Sequence, residues 1–200
     1  MNTTYHLLPD HYLDLERPFL FGHSMGAQTA LIVAALAPDL VRAVVLEDPP
    51  FDHAASQDVQ VLQTIADEAR VFQERPLAEK MAAIRANNPG WHESEIRPWS
   101  ESKGEYDPGI QSPPNRIRMH QFAWRPTAVK VTCPVLLVTA GPGKGIVTPA
   151  VAAEATQLMA QCEAIQIPDA GHCIHRDAYD ATMQPVTEFL ARTSLNQFGA

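Results

Sequence analysis

Residues 22–26 read Gly22-His23-Ser24-Met25-Gly26, a serine between two glycines where an apolar run meets an alanine-rich one. G-x-S-x-G at such a junction belongs to a sharp strand-to-helix turn that exposes the serine hydroxyl. The flanking glycines are expected to relieve crowding between strand and helix. Met25 opens the helix, so its amide can donate to a developing oxyanion. The plain alternative is a packing turn with an incidental serine. A serine hydroxyl is a poor nucleophile until a base takes its proton. Asp169-Ala-Gly-His172 falls between a predicted strand and the last predicted helix. That places His172 on a loop at the same sheet edge, as the expected base, against the alternative of a solvated loop histidine. His175 competes, but it begins the final predicted helix, where a structural role is expected. His172-Cys173-x-His175 suggests a metal site, yet no second cluster completes the ligands, so no metal is expected. His23 holds a variable position of the turn and is expected to pack or hydrogen-bond locally.

These groups need strands and helices to hold them. Pro18–Gly22 is apolar throughout, as strands covered on both faces are. Met25–Leu36, rich in Ala and Leu and closed by Pro38, predicts a buried helix. Further strands are expected over Arg42–Leu46, Cys133–Val138 and Glu163–Ile167, with helices over Thr148–Ala160 and Arg176–Thr193. Strands alternating with helices imply an α/β fold, a parallel sheet joined by right-handed crossovers. The hydroxyl of Ser24 would then stand above the strand ends, where open parallel sheets bind ligands.

Residues 51–128 interrupt that alternation. Asp58–Gln73 and Leu77–Ala86 have the pattern of amphipathic helices, and a stretch rich in Trp, Pro and charge follows, NPGWHESEIRPWSESKGEYDPG. This is too long for a loop in a compact sheet and reads as an inserted helical cap. The expected organisation is therefore a core of residues 1–50 and 129–200 with a cap over 51–128. Trp91, Trp99 and Trp124 either line a substrate pocket or pack the cap onto the sheet, and both readings stand.

Two hundred residues, 46% of them hydrophobic, suit one domain with a real core. A formal net charge of −8 argues against a nucleic-acid partner, since no basic stripe exists to neutralise phosphates. The three cysteines, Cys133, Cys162 and Cys173, cannot all pair, and no secretory pattern precedes them. A reduced, cytoplasmic setting is the simpler reading. The only long apolar run is broken at Gly22, His23, Ser24 and Gly26, so no membrane span is expected.

Taken together, GHSMGA, the strand ending LEDPP, the insertion, CPVLLVTA, IVTP and AGHCIHRD resemble an α/β-hydrolase-fold enzyme with a helical cap. The resemblance implies a Ser-His-acid triad in the chain order serine, acid, histidine, with no cofactor. Most relatives carry the acid just after the penultimate strand, where this chain reads Thr139-Ala-Gly-Pro-Gly-Lys-Gly145, without a carboxylate. Some esterase-like, lactonase-like and dehalogenase relatives place it one strand earlier, about two dozen residues after the nucleophile. Asp48 falls at that spacing, with Glu47 adjacent as the alternative acid. Strand neighbours point to opposite faces, so only one of them can reach the histidine. A carboxylate before Pro-Pro is also read as a plain strand terminator. The resemblance further implies that the strands preceding the serine strand, and the loop giving a second oxyanion amide, have no counterpart here. In that case the Phe19-Leu20-Phe21 edge is expected to favour self-association. The implied activity is hydrolysis of a small carboxylic ester or lactone, with cleavage of a carbon–carbon bond using the same triad. The competing reading is a catalytically weak fragment or a small-molecule-binding protein.

Overall fold

Four runs form the strands β1 (Phe19–His23), β2 (Ala43–Glu47), β3 (Val135–Thr139) and β4 (Cys162–Gln166), the two central ones rich in valine and leucine. They come from a computed structural model that describes residues 15–52, 59–105, 107, 109, 112–114 and 122–195. The strands pair in the order β1-β2-β3-β4, all parallel. His23 stands opposite Glu47, and Glu47 opposite Val138, so the ends of the first three strands lie side by side. The expected strands are all present, displaced by one or two residues at their ends.

Alternate residues of the central strands feed two separate cores. Val44, Leu46, Val135 and Leu137 face α1 (Met25–Leu36) and join Leu31, Trp124, Ala155 and Met159. Ala43, Val45, Leu136 and Val138 face the other way and join Ile174, Val186 and Phe189. Each fully buried aliphatic side chain here contributes about 1.5–3 kcal/mol. The same alternation separates Glu47 from Asp48: Glu47 continues the second face. α1 is less buried than its composition implies. Ala27, Leu31 and Ala34 are sealed against the sheet, whereas Met25, Val33 and Leu36 are exposed. β1 forms one edge of the described sheet and Phe21 is half exposed. β4, the opposite edge, shows Glu163 and Gln166 to solvent, as edge strands commonly do.

Between β2 and β3 lie α2 (Val59–Glu74), α3 (Leu77–Asn87), α4 (Glu93–Glu105) and the short α5 (Trp124–Ala128). α4 occupies the Trp- and Pro-rich stretch and contains Pro98 within its length. Asp58, the expected first residue of α2, lies outside the described residues. Ile84, Trp91 and Ile96 form a third apolar cluster, joined by Phe72, Met81, Trp99 and, from the core, Cys173. After β3, Thr148 caps α6 (Pro149–Leu158) by accepting the Val151 N–H. The expected single helix after His172 is instead two, α7 (Ile174–Asp177) and α8 (Tyr179–Leu195), separated at Ala178. No helix among the described residues is long and apolar enough to cross a membrane.

Candidate active site

Ser24 sits between β1 and α1 with φ 53° and ψ −119°, a conformation L-residues rarely adopt. Its N–H donates to the Glu47 carbonyl at 2.8 Å, so the β1–β2 ladder runs one residue past the strand and holds the strained turn. A Cβ on Gly22 would come within 2.3 Å of the Gly26 carbonyl oxygen, so only glycine fits there. A Cβ on Gly26 meets nothing within 4 Å, so of the two glycines only the first relieves crowding. Asp48 repeats the device on the next strand. It lies one position past β2 with φ 42°, and its N–H donates to the Val138 carbonyl at 2.9 Å.

These two turns and the loop after β4 converge. Ser24 Oγ lies 3.0 Å from His172 Nε2, and His172 Nδ1 lies 2.7 Å from Asp48 Oδ2. An ionised carboxylate only accepts, so Nδ1 carries the imidazole proton and Nε2 is left to accept from the serine. Asp48 is fully buried, while the His172 side chain keeps 36% of its exposure. Burying a carboxylate requires donors around it. The Ile146 N–H reaches both carboxylate oxygens, at 3.1 and 2.9 Å, and the Val147 N–H reaches Oδ1 at 2.9 Å. Both amides belong to the glycine-rich loop after β3. Gly145 lets that loop close in, since a Cβ there would lie 2.7 Å from Asp48 Oδ2. The loop that lacks a carboxylate thus supplies the amides that hold one from the neighbouring strand. Met25 is the first residue of α1, so its N–H has no partner within the helix.

Glu47 does not reach His172. It is fully buried on the other face, with both oxygens within 2.8 Å of His175 Nδ1 and Oε1 accepting the His175 N–H at 2.9 Å. His175 lies in α7 rather than at the start of the long final helix. His23 Nε2 lies 2.9 Å from the His172 carbonyl oxygen and so donates to it. Burial holds the His23 ring below its ordinary pKa, outweighing the pull of the Glu47 charge. Burial pushes the Cys173 thiol up, which disfavours a thiolate. His172 and His175 each face their own carboxylate, and no cluster of metal-ligating side chains occurs among the described residues.

All three tryptophans make packing contacts in this arrangement. Trp124 is buried, stacks on Phe51 at 4.3 Å and donates to Asp52 at 2.9 Å. Arg125 grips the same carboxylate with two bonds of 2.7 Å, pulling the Asp52 pKa down, and also pairs with Glu154. The segment after Asp48 is thereby fastened to α5 and α6. Trp91 is buried edge-on to Trp99, and its indole N–H donates to Asp177 at 2.7 Å. Asp177 also accepts the Gly171 N–H at 2.8 Å, one residue before His172. Arg176 pairs with Glu95 and lies over both rings.

The "alpha/beta hydrolase fold" family model matches residues 11–179 of this chain. A 2-(acetamidomethylene)succinate hydrolase of Mesorhizobium japonicum is 30% identical, the match covering 86% of this chain and 63% of the relative. An sn-1-specific diacylglycerol lipase of Mus musculus is 26% identical, over 92% of this chain and 62% of the relative. The chain therefore spans somewhat over three-fifths of the length of these two relatives. Among solved structures, an N-formylmaleamic acid deformylase from Pseudomonas putida superposes with a TM-score of 0.68 at 23% identity. That match covers 88% of this chain and 68% of the other. The family model extends from before the serine turn to beyond the histidine loop, on a parallel sheet of the matching kind, and the chain belongs to the α/β-hydrolase-fold family.

Proposed function

We propose that the protein is a serine hydrolase that cleaves a small carboxylic ester or lactone through an acyl-enzyme, with residues 51–128 as a helical cap. The observation that carries this reading is the continuous hydrogen-bonded chain Ser24–His172–Asp48, at 3.0 and 2.7 Å, on three separate loops at one sheet edge. Ser24 Oγ attacks the substrate carbonyl carbon while its proton passes to His172 Nε2. Asp48 keeps Nδ1–H in place and stabilises the imidazolium that forms. The carbonyl oxygen gains negative charge beside the Met25 N–H at the start of α1. Collapse of the tetrahedral intermediate returns the proton from His172 to the leaving oxygen and leaves Ser24 acylated. Water, deprotonated by the same imidazole, then attacks the acyl carbon, and the acid departs as Ser24 regains its proton. Relatives named as a hydrolase and a lipase agree with this class of chemistry. Self-association through the β1 edge has no support from the comparisons.

A fluorophosphonate probe tests the assignment on the full chain. Labelling is expected on Ser24 alone and lost in Ser24→Ala, with circular dichroism confirming that both proteins fold. Labelling that persists in the alanine variant would overturn the assignment.

A further inference from the structure

The end of β2 carries two adjacent, fully buried carboxylates, and each holds a different histidine: Asp48 holds His172 and Glu47 holds His175. Only Asp48 has a part in the chemistry described above. Glu47 binds His175 by its ring and by its backbone N–H, so it fixes α7 three residues after His172. His23, opposite Glu47 in the sheet register, donates to the His172 carbonyl oxygen at 2.9 Å. Its ring packs 4.7 Å from that of His172 and edge-on, at 5.7 Å, to that of His175. His23 and Ser24, neighbours in the turn, therefore grip the backbone and the ring of the same histidine. Three groups outside the Ser24–His172–Asp48 chain thus help to define where the His172 loop lies, beside the bond from Gly171 to Asp177.

We infer that Glu47, His175 and His23 form a second carboxylate–imidazole assembly that fixes the backbone of the His172 loop, and that they are positioning residues for proton transfer between Ser24 and His172. This rests on the serine-hydrolase reading for its consequence in catalysis, though not for its geometry. Misplacing a catalytic group by about 1 Å costs on the order of 10²-fold in rate. A loop released at its carbonyl or at its following helix loses that placement while Asp48 still binds the ring. Neutrality of His23 serves the same end, because a cation so close to His172 would oppose formation of its imidazolium. The carbonyl bond requires only one N–H donor, so glutamine at position 23 can replace it and leucine cannot.

The experiment uses the full chain labelled with ¹⁵N-histidine. The Nδ1 proton of His172, hydrogen-bonded to Asp48, gives a low-field resonance identified by its loss in His172→Gln. Its solvent exchange is expected to quicken about tenfold or more in His23→Leu and to return near the wild-type rate in His23→Gln. Ester turnover and fluorophosphonate labelling should follow the same order, with kcat reduced and KM unchanged. Exchange in His23→Leu within twofold of wild type would overturn the proposal. So would a glutamine variant no better than leucine, or the absence of the resonance in the wild type. If His23→Leu does not fold, Glu47→Gln is read by the same exchange rate: acceleration supports the proposal and no change overturns it. A wild-type chain that shows the expected exchange order but neither labels nor turns over would sink the hydrolase reading and leave the positioning role intact.

Discussion

Asp48 is buried without any exposed atom and still accepts from two amides and an imidazole. Replacing it with asparagine leaves one acceptor oxygen and introduces an amide donor that faces other donors. The His172 ring then loses its orienting partner, and Asp48→Asn is expected to lower ester turnover on the order of 10⁴-fold. Steady-state kinetics check this, and a loss below tenfold would remove Asp48 from the proposed triad. Gly145→Ala tests the loop instead of the acid. The added Cβ, 2.7 Å from Asp48 Oδ2 and 2.5 Å from Ala140 Cβ, forces the loop or the carboxylate to move. Turnover should fall about 10²-fold with the reacting residues unchanged, and activity within threefold of wild type would show that the loop can yield. The meeting of Ser24 and His172 is legible in the sequence because both are side chains beside recognisable turns. The amides of Ile146 and Val147 are not, since a backbone N–H has no letter of its own. The run Gly141-Pro-Gly-Lys-Gly145 is their only trace, a loop able to press closely against a neighbour.

Between elements, Asp177 links the helices lying between β2 and β3 to the histidine loop. It lies in α7, accepts from Trp91 before α4, and accepts from Gly171 before His172. Trp91→Phe keeps the ring in the third apolar cluster and removes only the N–H. The lost bond to a carboxylate should cost about 1.5–3 kcal/mol in urea unfolding, and turnover should fall as the Gly171 turn loosens. A variant with wild-type stability and rate would show that these helices and the loop are independent. The helices themselves were unevenly legible. The amphipathic pattern of α2 marks it to within a residue among the described positions, whereas α3 lies where expected although its apolar residues are spread around the helix rather than gathered on one face. α4 is hidden because Pro98 lies inside it and interior proline normally argues against a helix. α7 is hidden for a different reason. The periodic pattern from Arg176 onward runs across Ala178, while tertiary bonds of His175 to Glu47, Arg176 to Glu95 and Asp177 to Trp91 and Gly171 hold α7 in its own place. Side-chain alternation in β2, by contrast, shows that only one of Glu47 and Asp48 can face His172 but not which one, and Asp48 reaches it from a positive-φ turn one residue past the strand.

At the scale of the whole molecule, acid should weaken this protein in two separable stages. His23 is held below its ordinary pKa by burial, assisted by the neighbouring imidazoles of His172 and His175 and opposed by Glu47. The unfolded chain therefore takes up a proton at this position more readily than the folded one, and stability rises with pH across that interval. The contribution is complete above the ordinary histidine value near 6.5, and it is lost as pH falls through the depressed folded value. Asp52 behaves in the same sense at lower pH. Its hydrogen bonds from Arg125 depress the folded pKa, so its contribution is present above the ordinary aspartate value near 3.9 and is lost below it. Exposure of the Asp52–Arg125 pair to solvent keeps that second stage the smaller one. The urea midpoint of the full chain, followed from pH 8 to pH 3, should accordingly fall first below neutrality and again near pH 4. His23→Gln, which cannot titrate but keeps a donor for the His172 carbonyl, should flatten the first fall and leave the second. Arg125→Gln should flatten the second and leave the first. A His23→Gln curve parallel to wild type between pH 7.5 and 5.5 would mean that His23 holds its proton equally well folded and unfolded, against the burial that surrounds it.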